Sequence, residues 1–282
     1  MRRSTLVALF VLTAATLLAV PAGGQEPTCY GREATSDVGT PGNDVLIGTS
    51  GNDVIDGGNG DDIICGLDGD DILTGGVGND TVDGGGGSDN IVGDIRLTGP
   101  GDAVGSGRDK IRGGDGNDTL LIGDNYTASG TARGGGEDTI DGGGGDGTSL
   151  VIYGDNWSER GSAYGSAADV INVGEDALVY GDNSAGGGDA YGGSADRITG
   201  SPGPDRLYGD NFATGHAYGG AADWIWGMGG DDRVYGDNDP DSGRETGGGA
   251  DHLDCGEGDA DFADGGPASD EQKACENLFS VP

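Results

Sequence analysis

Between residues 40 and 93 a large aliphatic side chain recurs every nine positions: Leu46, Ile55, Ile64, Leu73, Val82 and Ile91. A nine-residue spacing with one apolar anchor per unit fits neither an amphipathic helix nor a long alternating strand. It predicts very short strands of the form x-aliphatic-x, whose middle side chain points inward while its neighbours point outward. An Asp stands two residues before each anchor, at Asp44, Asp53, Asp62, Asp71, Asp80 and Asp89. A Gly stands two residues before each Asp, at Gly42, Gly51, Gly60, Gly69, Gly78 and Gly87, and another Gly closes each unit. Gly-x-Asp predicts a tight turn, because Gly permits positive φ and lets backbone carbonyls crowd one point. Two units then make one circuit of a flattened parallel coil with a thin aliphatic core. Same-side turns recur every 18 residues, which predicts one column of Asp44, Asp62 and Asp80 and a second of Asp53, Asp71 and Asp89.

Bare carboxylates stacked at the strand spacing of about 5 Å repel strongly. A hard divalent cation between successive turns removes the repulsion. Calcium accepts six to eight oxygens in flexible geometry, whereas magnesium requires a smaller octahedron. Three Asp per column enclose two gaps, so residues 40–93 are expected to hold about four calcium ions. The six consecutive units resemble the glycine-rich nonapeptide of RTX (hemolysin-type) calcium-binding repeats, Gly-Gly-x-Gly-x-Asp-x-aliphatic-x. The nearest likeness in style is to small secreted bacterial RTX proteins without a toxin or enzyme domain. The resemblance implies an all-β, right-handed parallel β-roll (a β-solenoid) with capped ends and calcium between its turns. The first Gly of the family pattern is absent at Thr40, Thr49 and Leu67, which leaves the Asp–aliphatic register intact.

Beyond residue 93 the pattern loosens. Residues 94–104 read as an inserted loop. Further units follow at Asp109-Lys110-Ile111, Asp118-Thr119-Leu120 and Asp138-Thr139-Ile140. A longer repeat then emerges: the tripeptide Gly-Asp-Asn begins at 123, 154, 181, 209 and 236, at intervals of 31, 27, 28 and 27, and Tyr precedes the last four copies. Between the copies lie Asp169-Val170-Ile171, Asp196-Arg197-Ile198 and Asp223-Trp224-Ile225, with Asp205-Arg206-Leu207 and Asp232-Arg233-Val234 on the other side. This predicts one column of Asp169, Asp196 and Asp223 and another containing Asp205 and Asp232. Each module of residues 94–245 reads either as one coil turn plus an extruded loop, such as 211–219, or as one and a half turns. The Asp of each Gly-Asp-Asn is either a further ligand or a plain turn former. Residues 246–282 read as a worn repeat and a closing cap, with 270–279 a short helix or irregular cover.

Composition sharpens this picture. The 282 residues include 65 Gly and 50 Asp or Glu against 14 Lys or Arg, a formal charge of −36. So little bulky apolar material argues against a large conventional core, and so much negative charge argues against nucleic-acid binding. Residues 1–22 carry Arg2 and Arg3, an apolar run from Leu6 to Val20 and a small-residue cleavage pattern, which read as a secretory signal. No second apolar run follows, so no membrane span is expected in the mature chain. Residues 23–39 are then an N-terminal cap.

Four Cys suit an oxidising compartment. Of three possible pairings, Cys29–Cys65 and Cys255–Cys275 are expected, because each would staple one end of an elongated object. Zinc is disfavoured by the wide Cys spacing and the lack of His partners. Only two His occur, His216 and His252, and no catalytic signature accompanies them. The repeats reach from 40 to about 265, which leaves no room for a catalytic domain, so the chain is not expected to be an enzyme. The function expected is extracellular calcium binding with folding coupled to the ion. The alternative is a calcium-dependent adhesin, matrix or surface protein binding carbohydrate or ice. No Thr ladder supports ice binding. The apolar row Val45, Val54, Ile63 and Ile72, expected on one side, hints at self-association.

Overall fold

The computed structural model describes residues 28–36, 38–145, 150–240, 244–258, 260–266 and 270–279. The signal segment 1–22 lies outside the described residues. Each described aliphatic anchor lies in a strand of only a few residues, as the one-anchor units demand, and no peptide bond among the described residues is cis. All strands of the coil pair in parallel. They form two ten-stranded sheets, one from Val45–Ile47 to Glu271–Lys273 and the other from Val54–Asp56 to Asn277–Phe279. Successive strands of the chain alternate between these two sheets through residue 92, so the first rungs of the coil are two strands and 18 residues around.

The core is the stack of anchors. Leu46, Ile64, Val82 and Ile111 align on the first sheet, continuing through Ile140, Ile171, Ile198, Ile225 and Leu253. Leu73, Ile91, Leu121, Ile152, Val179, Leu207 and Val234 align on the second. Nearly all are fully buried in a single cluster. Anchors face across two thin sheets, so a core of one side chain per strand suffices, which reconciles the Gly-rich composition with a packed interior.

From residue 94 the circuit changes shape. Each of six turns adds two more short strands, and these stack into two further six-stranded sheets, from Arg96–Pro100 to Asp239–Pro240 and from Ala103–Val104 to Glu245–Thr246. One complete turn runs Lys110–Asp115, Leu120–Ile122, Tyr126–Ser129, Ala132–Arg133 and on to Thr139–Asp141 in the next rung. The module is therefore one coil turn, and the reading of one and a half turns falls. The expected inserted loop at 94–104 and the extruded loops such as 211–219 are corrected to paired strands. Their interior is lined by Ala163, Ala185, Ala190, Ala213 and Ala217, all buried. Fully buried Thr127 and Ser158 hold the same position in the earlier turns, so this interior is lined by small side chains. The cross-section thus has a wide aliphatic lobe and a narrow alanine lobe joined by a neck.

Three further expectations are corrected. The unit at 118 is out of step by one residue: Leu121, not Leu120, pairs with Ile91 and enters the core. Leu120 instead joins an aromatic cluster where the second and third sheets meet. Residues 270–279 supply no helix; Glu271–Lys273 and Asn277–Phe279 are the last strands of the two long sheets. The apolar row is split between faces, with Val45 and Ile63 packed beneath the Cys29–Cys65 bridge and only Val54 and Ile72 exposed on the other sheet. Both expected disulfides form, Cys29–Cys65 and Cys255–Cys275, one at each end. At the first edge Thr35 mimics a strand: its N–H donates to Val45 O and its hydroxyl accepts from Val45 N–H. The last edge carries Glu271 and Lys273, charges that discourage pairing with another chain.

The tyrosines of the long repeat pack between turns. Tyr153, Tyr180, Tyr208 and Tyr235 stack with ring centroids 4.5–5.6 Å apart. A second row, Tyr164, Tyr191 and Tyr218, stacks at 4.7 Å on the fourth sheet.

Burial on one strand of three residues separates two outcomes. Ile171→Ala should cost about 2–5 kcal/mol, whereas Val170→Ala, at an exposed position on the same strand, should cost under about 0.5 kcal/mol. Denaturant melts at fixed saturating calcium check this; equal costs would contradict the one-anchor core.

Candidate metal-binding columns

The turns that lead into the first sheet set one aspartate above another. The N–H of Asp44 donates to Asp62 Oδ1 at 2.7 Å, and the same contact repeats through Asp80, Asp109, Asp138, Asp169, Asp196, Asp223, Asp251 and Asp270 at 2.7–3.0 Å. The separate short columns expected for 44–80 and 169–223 are thus one. The turns into the second sheet make a like series, Asp53, Asp71, Asp89 and Asp118. That series is broken where Leu150 and Ala177 hold the aspartate's place in the register. It resumes as Asp205, Asp232 and Asp261, and Asp261 N–H donates to Glu276.

Every expected column aspartate therefore falls in one of the two series. Asp251, Asp261 and Asp270 were missed as site residues. Asp270 was assigned to the cap because no Gly-x-Asp unit surrounds it, and only its position 19 residues after Asp251 hints at the column. The two gaps per column expected within 40–93 are present, and both columns run on past residue 93, since Asp80 and Asp89 are followed by Asp109 and Asp118.

One carboxylate oxygen is used in holding the column; the other is not. Oδ2 of Asp62, Asp71, Asp80, Asp89, Asp109 and Asp118 is buried and receives no hydrogen bond. The glycines explain where it points. A Cβ on Gly75 would lie 2.7 Å from Asp80 Oδ2 and 2.2 Å from the carbonyl oxygen of Gly93 in the next rung. The same holds at Gly66, where the Cβ would meet Asp71 Oδ2 and Gly84 O. Each closing Gly is thus required by a cradle of acceptor oxygens that leaves no room for a side chain. Of the Gly before each Asp, Gly60, Gly69, Gly78 and Gly87 have φ between 121° and 152°, whereas Gly42 and Gly51 in the first rung do not adopt positive φ. Among the described residues no point is reached by three or more His, Cys, Asp or Glu side chains. The donors are pairs of carboxylates and backbone carbonyls, all oxygen, which is the set that suits calcium and not zinc.

Burial without a donor shows in the acidities. Desolvation lifts Asp118 to about 6, Asp80 and Asp89 to about 7, Asp109 to about 8 and Asp223 to about 9, with neighbouring carboxylates adding to the shift in most of them. Asp138, Asp169 and Asp196 are raised well above the usual carboxylate range for the same reasons. Backbone donation to Oδ1 pulls the other way but does not win.

Parallel sheets turning on Gly-x-Asp, with aligned carboxylates and orphaned oxygens, define a cation-binding β-solenoid. Residues 38–73, 66–95, 103–124, 191–211 and 219–242 match the model of the RTX calcium-binding nonapeptide repeat (4 copies). Those stretches are similar to RTX calcium-binding repeats, and calcium is the ion that the repeat is described as binding. No curated protein matches the chain.

A pH prediction follows from the direction of the shifts. With calcium chelated, a carboxyl whose folded pKa is raised favours the fold only while protonated. Stability is then fully present below the unfolded value of about 3.9 and declines as pH rises through about 6 to 9, the values reached by Asp118 and Asp223. Thermal melts in EGTA should give a more stable roll at pH 4 than at pH 8, and the reverse order would contradict the unpaired burial of these groups.

Proposed function

We propose that the protein is an extracellular calcium-binding roll whose folding is completed by the ion, and that it acts as a binding and structural protein rather than an enzyme. The observation that carries this is the row of buried aspartate Oδ2 atoms without donors, beside glycine carbonyls, along both columns. Asp62, Asp71, Asp80, Asp89, Asp109 and Asp118, with turn carbonyls of adjacent rungs, would hold the cations. When bound, calcium supplies positive charge that offsets the stacked carboxylates. The chain's own part is to bring those oxygens together, which happens only once one rung has stacked on the next. Binding and folding are therefore linked: the cation favours the folded roll by mass action, and carboxylate repulsion opposes stacking where calcium is scarce.

Several features support secretion. The apolar leader is followed by a chain whose four cysteines are all paired, the state expected of an oxidising compartment. Among the described residues no helix is long and apolar enough to cross a membrane. His216 lies 3.5 Å from Asp189 on the narrow lobe, and half-buried His252 stacks on Trp224.

Titration of the calcium-free protein with calcium should raise the β signal in circular dichroism; an unchanged spectrum between EGTA and millimolar calcium would overturn the linkage. Position within a column sets the second expectation. Asp62 and Asp71 each have an aspartate neighbour on both sides, whereas Asp44 and Asp53 end their columns. Asp62→Asn or Asp71→Asn should weaken calcium binding several-fold more than Asp44→Asn or Asp53→Asn, as read by calorimetry. Equal effects would contradict sharing of ions between rungs.

A further inference from the structure

A third row of aspartates lies at the neck between the two lobes, outside the Gly-x-Asp-x-aliphatic pattern. It comprises Asp94 and the Asp of each Gly-Asp-Asn: Asp124, Asp155, Asp182, Asp210 and Asp237, every one buried. One oxygen of each is engaged across the neck, by a backbone N–H on the strand connector leading back to the first sheet, and in Asp182 the Ser194 hydroxyl donates to the other oxygen as well. Gly107 donates to Asp94, Gly136 to Asp124, Ala167 to Asp155, Ser194 to Asp182, Ala221 to Asp210 and Gly249 to Asp237, at 2.8–3.3 Å. The asparagines beside them form their own ladder. Asn125 Nδ2 donates to Asn156 Oδ1, Asn156 to Asn183, Asn183 to Asn211 and Asn211 to Asn238, at 2.9–3.2 Å. The tripeptide therefore closes the neck, and a turn former would need no more than that.

The second oxygen is what a turn former does not explain. Asp94 Oδ1, Asp124 Oδ1, Asp155 Oδ2 and Asp210 Oδ2 are buried with no hydrogen-bond donor. They face more of the same. A Cβ on Gly93, Gly123, Gly154, Gly181 or Gly209, the residue just before each neck aspartate, would lie 2.2–2.5 Å from Oδ2 of Asp109, Asp138, Asp169, Asp196 or Asp223. Each of these rungs thus brings two carboxylates from separate chain segments together, where the first two rungs bring one to each turn. The strongest charges acting on Asp155 are Asp169, Asp124 and Asp182, all carboxylates. Successive neck carboxyls also touch, Asp124 against both Asp94 and Asp155. Like charges this close and this dry need either protons or a cation between them.

We propose that the neck is a second row of calcium sites, in which the Gly-Asp-Asn aspartates and the facing aspartates of the first column share cations along the six wide turns. The neck sites explain why the repeat carries Gly-Asp-Asn rather than any other turn: Gly admits the facing carboxylate, Asp supplies charge to the ion, and Asn closes the neck without adding charge. They also place cations at the junction of the lobes, so that calcium would fix the narrow lobe to the wide one. The proposal goes beyond the turn columns and rests on that reading only for the identity of the ion.

The test counts calcium bound by the full chain at saturation, by equilibrium dialysis with elemental analysis. Asp124→Asn/Asp155→Asn/Asp182→Asn should bind fewer ions than the parent, by about two or more if each ion spans adjacent rungs. Asp62→Asn/Asp71→Asn, in rungs that have no neck, reports the turn columns alone. An unchanged count in the neck variant with native circular dichroism would overturn the neck sites. An unchanged count in the second variant would overturn the turn reading and leave the neck result standing. Should the triple variant not fold, calcium anomalous diffraction from the unaltered protein decides: a peak between the carboxyls of Asp124 and Asp155 supports the proposal, and its absence there overturns it, as would a proton shared between the two acids.

Discussion

The structure depends on a hydrogen bond that creates its own difficulty. An aspartate N–H donates to the carboxylate of the aspartate one rung on, and the contact repeats with little change in length along the coil. That bond sets the rung spacing at every turn and withdraws each carboxylate from water. It uses only one oxygen. In most column aspartates the other is left buried among glycine carbonyls, without a donor and beside a like charge. A neutral acid or a cation is the only chemistry that completes such a site, and the fold is stable to the extent that one of them is present.

Glycine has a role here that its usual association with flexibility does not describe. The closing Gly of each unit is fixed by crowding: the space its side chain would fill already holds an aspartate oxygen and a carbonyl from the next rung. The abundance of Gly is therefore a condition of rigidity in this coil. A related economy of size marks the narrow lobe, whose interior is lined by Ala, with Ser158 and Thr127 in the earlier turns. Stability is spread along the axis, with each rung contacting its neighbours, a disulfide at each end and stacked tyrosine rings between the later rungs.

The acidity of the chain has a matching explanation. Charge of −36 on 282 residues would expand a chain without a partner. Many of those charges are gathered in rows rather than dispersed, which concentrates the repulsion at sites a divalent ion can occupy. Under the proposed function such a chain would couple its compactness to the calcium level around it, a property suited to a protein made where calcium is scarce and used where it is plentiful.

The local repeat was fully legible in the sequence. The nine-residue spacing of Asp and aliphatic anchors and the pairing of units into rungs could be read from residue order, because each is a short-range consequence of turn geometry, and the two disulfides were expected because each staples one end. The later columns were legible too, wherever Asp kept its distance of two from an anchor, as at Asp169, Asp196, Asp205, Asp223 and Asp232. What lay beyond reach was everything decided across rungs. The strands of the narrow lobe are mostly two residues long and their inward side chains are small, so they carry no periodic signal and read as loops. Leu120 and Leu121 are equal candidates for the core until the register with Ile91 selects one. Asp94 read as part of a loop and the Gly-Asp-Asn aspartates as either ligands or turn formers, since a carboxylate's surroundings depend on which segment folds against it. The order of residues determined the rung; only the stacking of one rung on another decided which oxygens would be buried together.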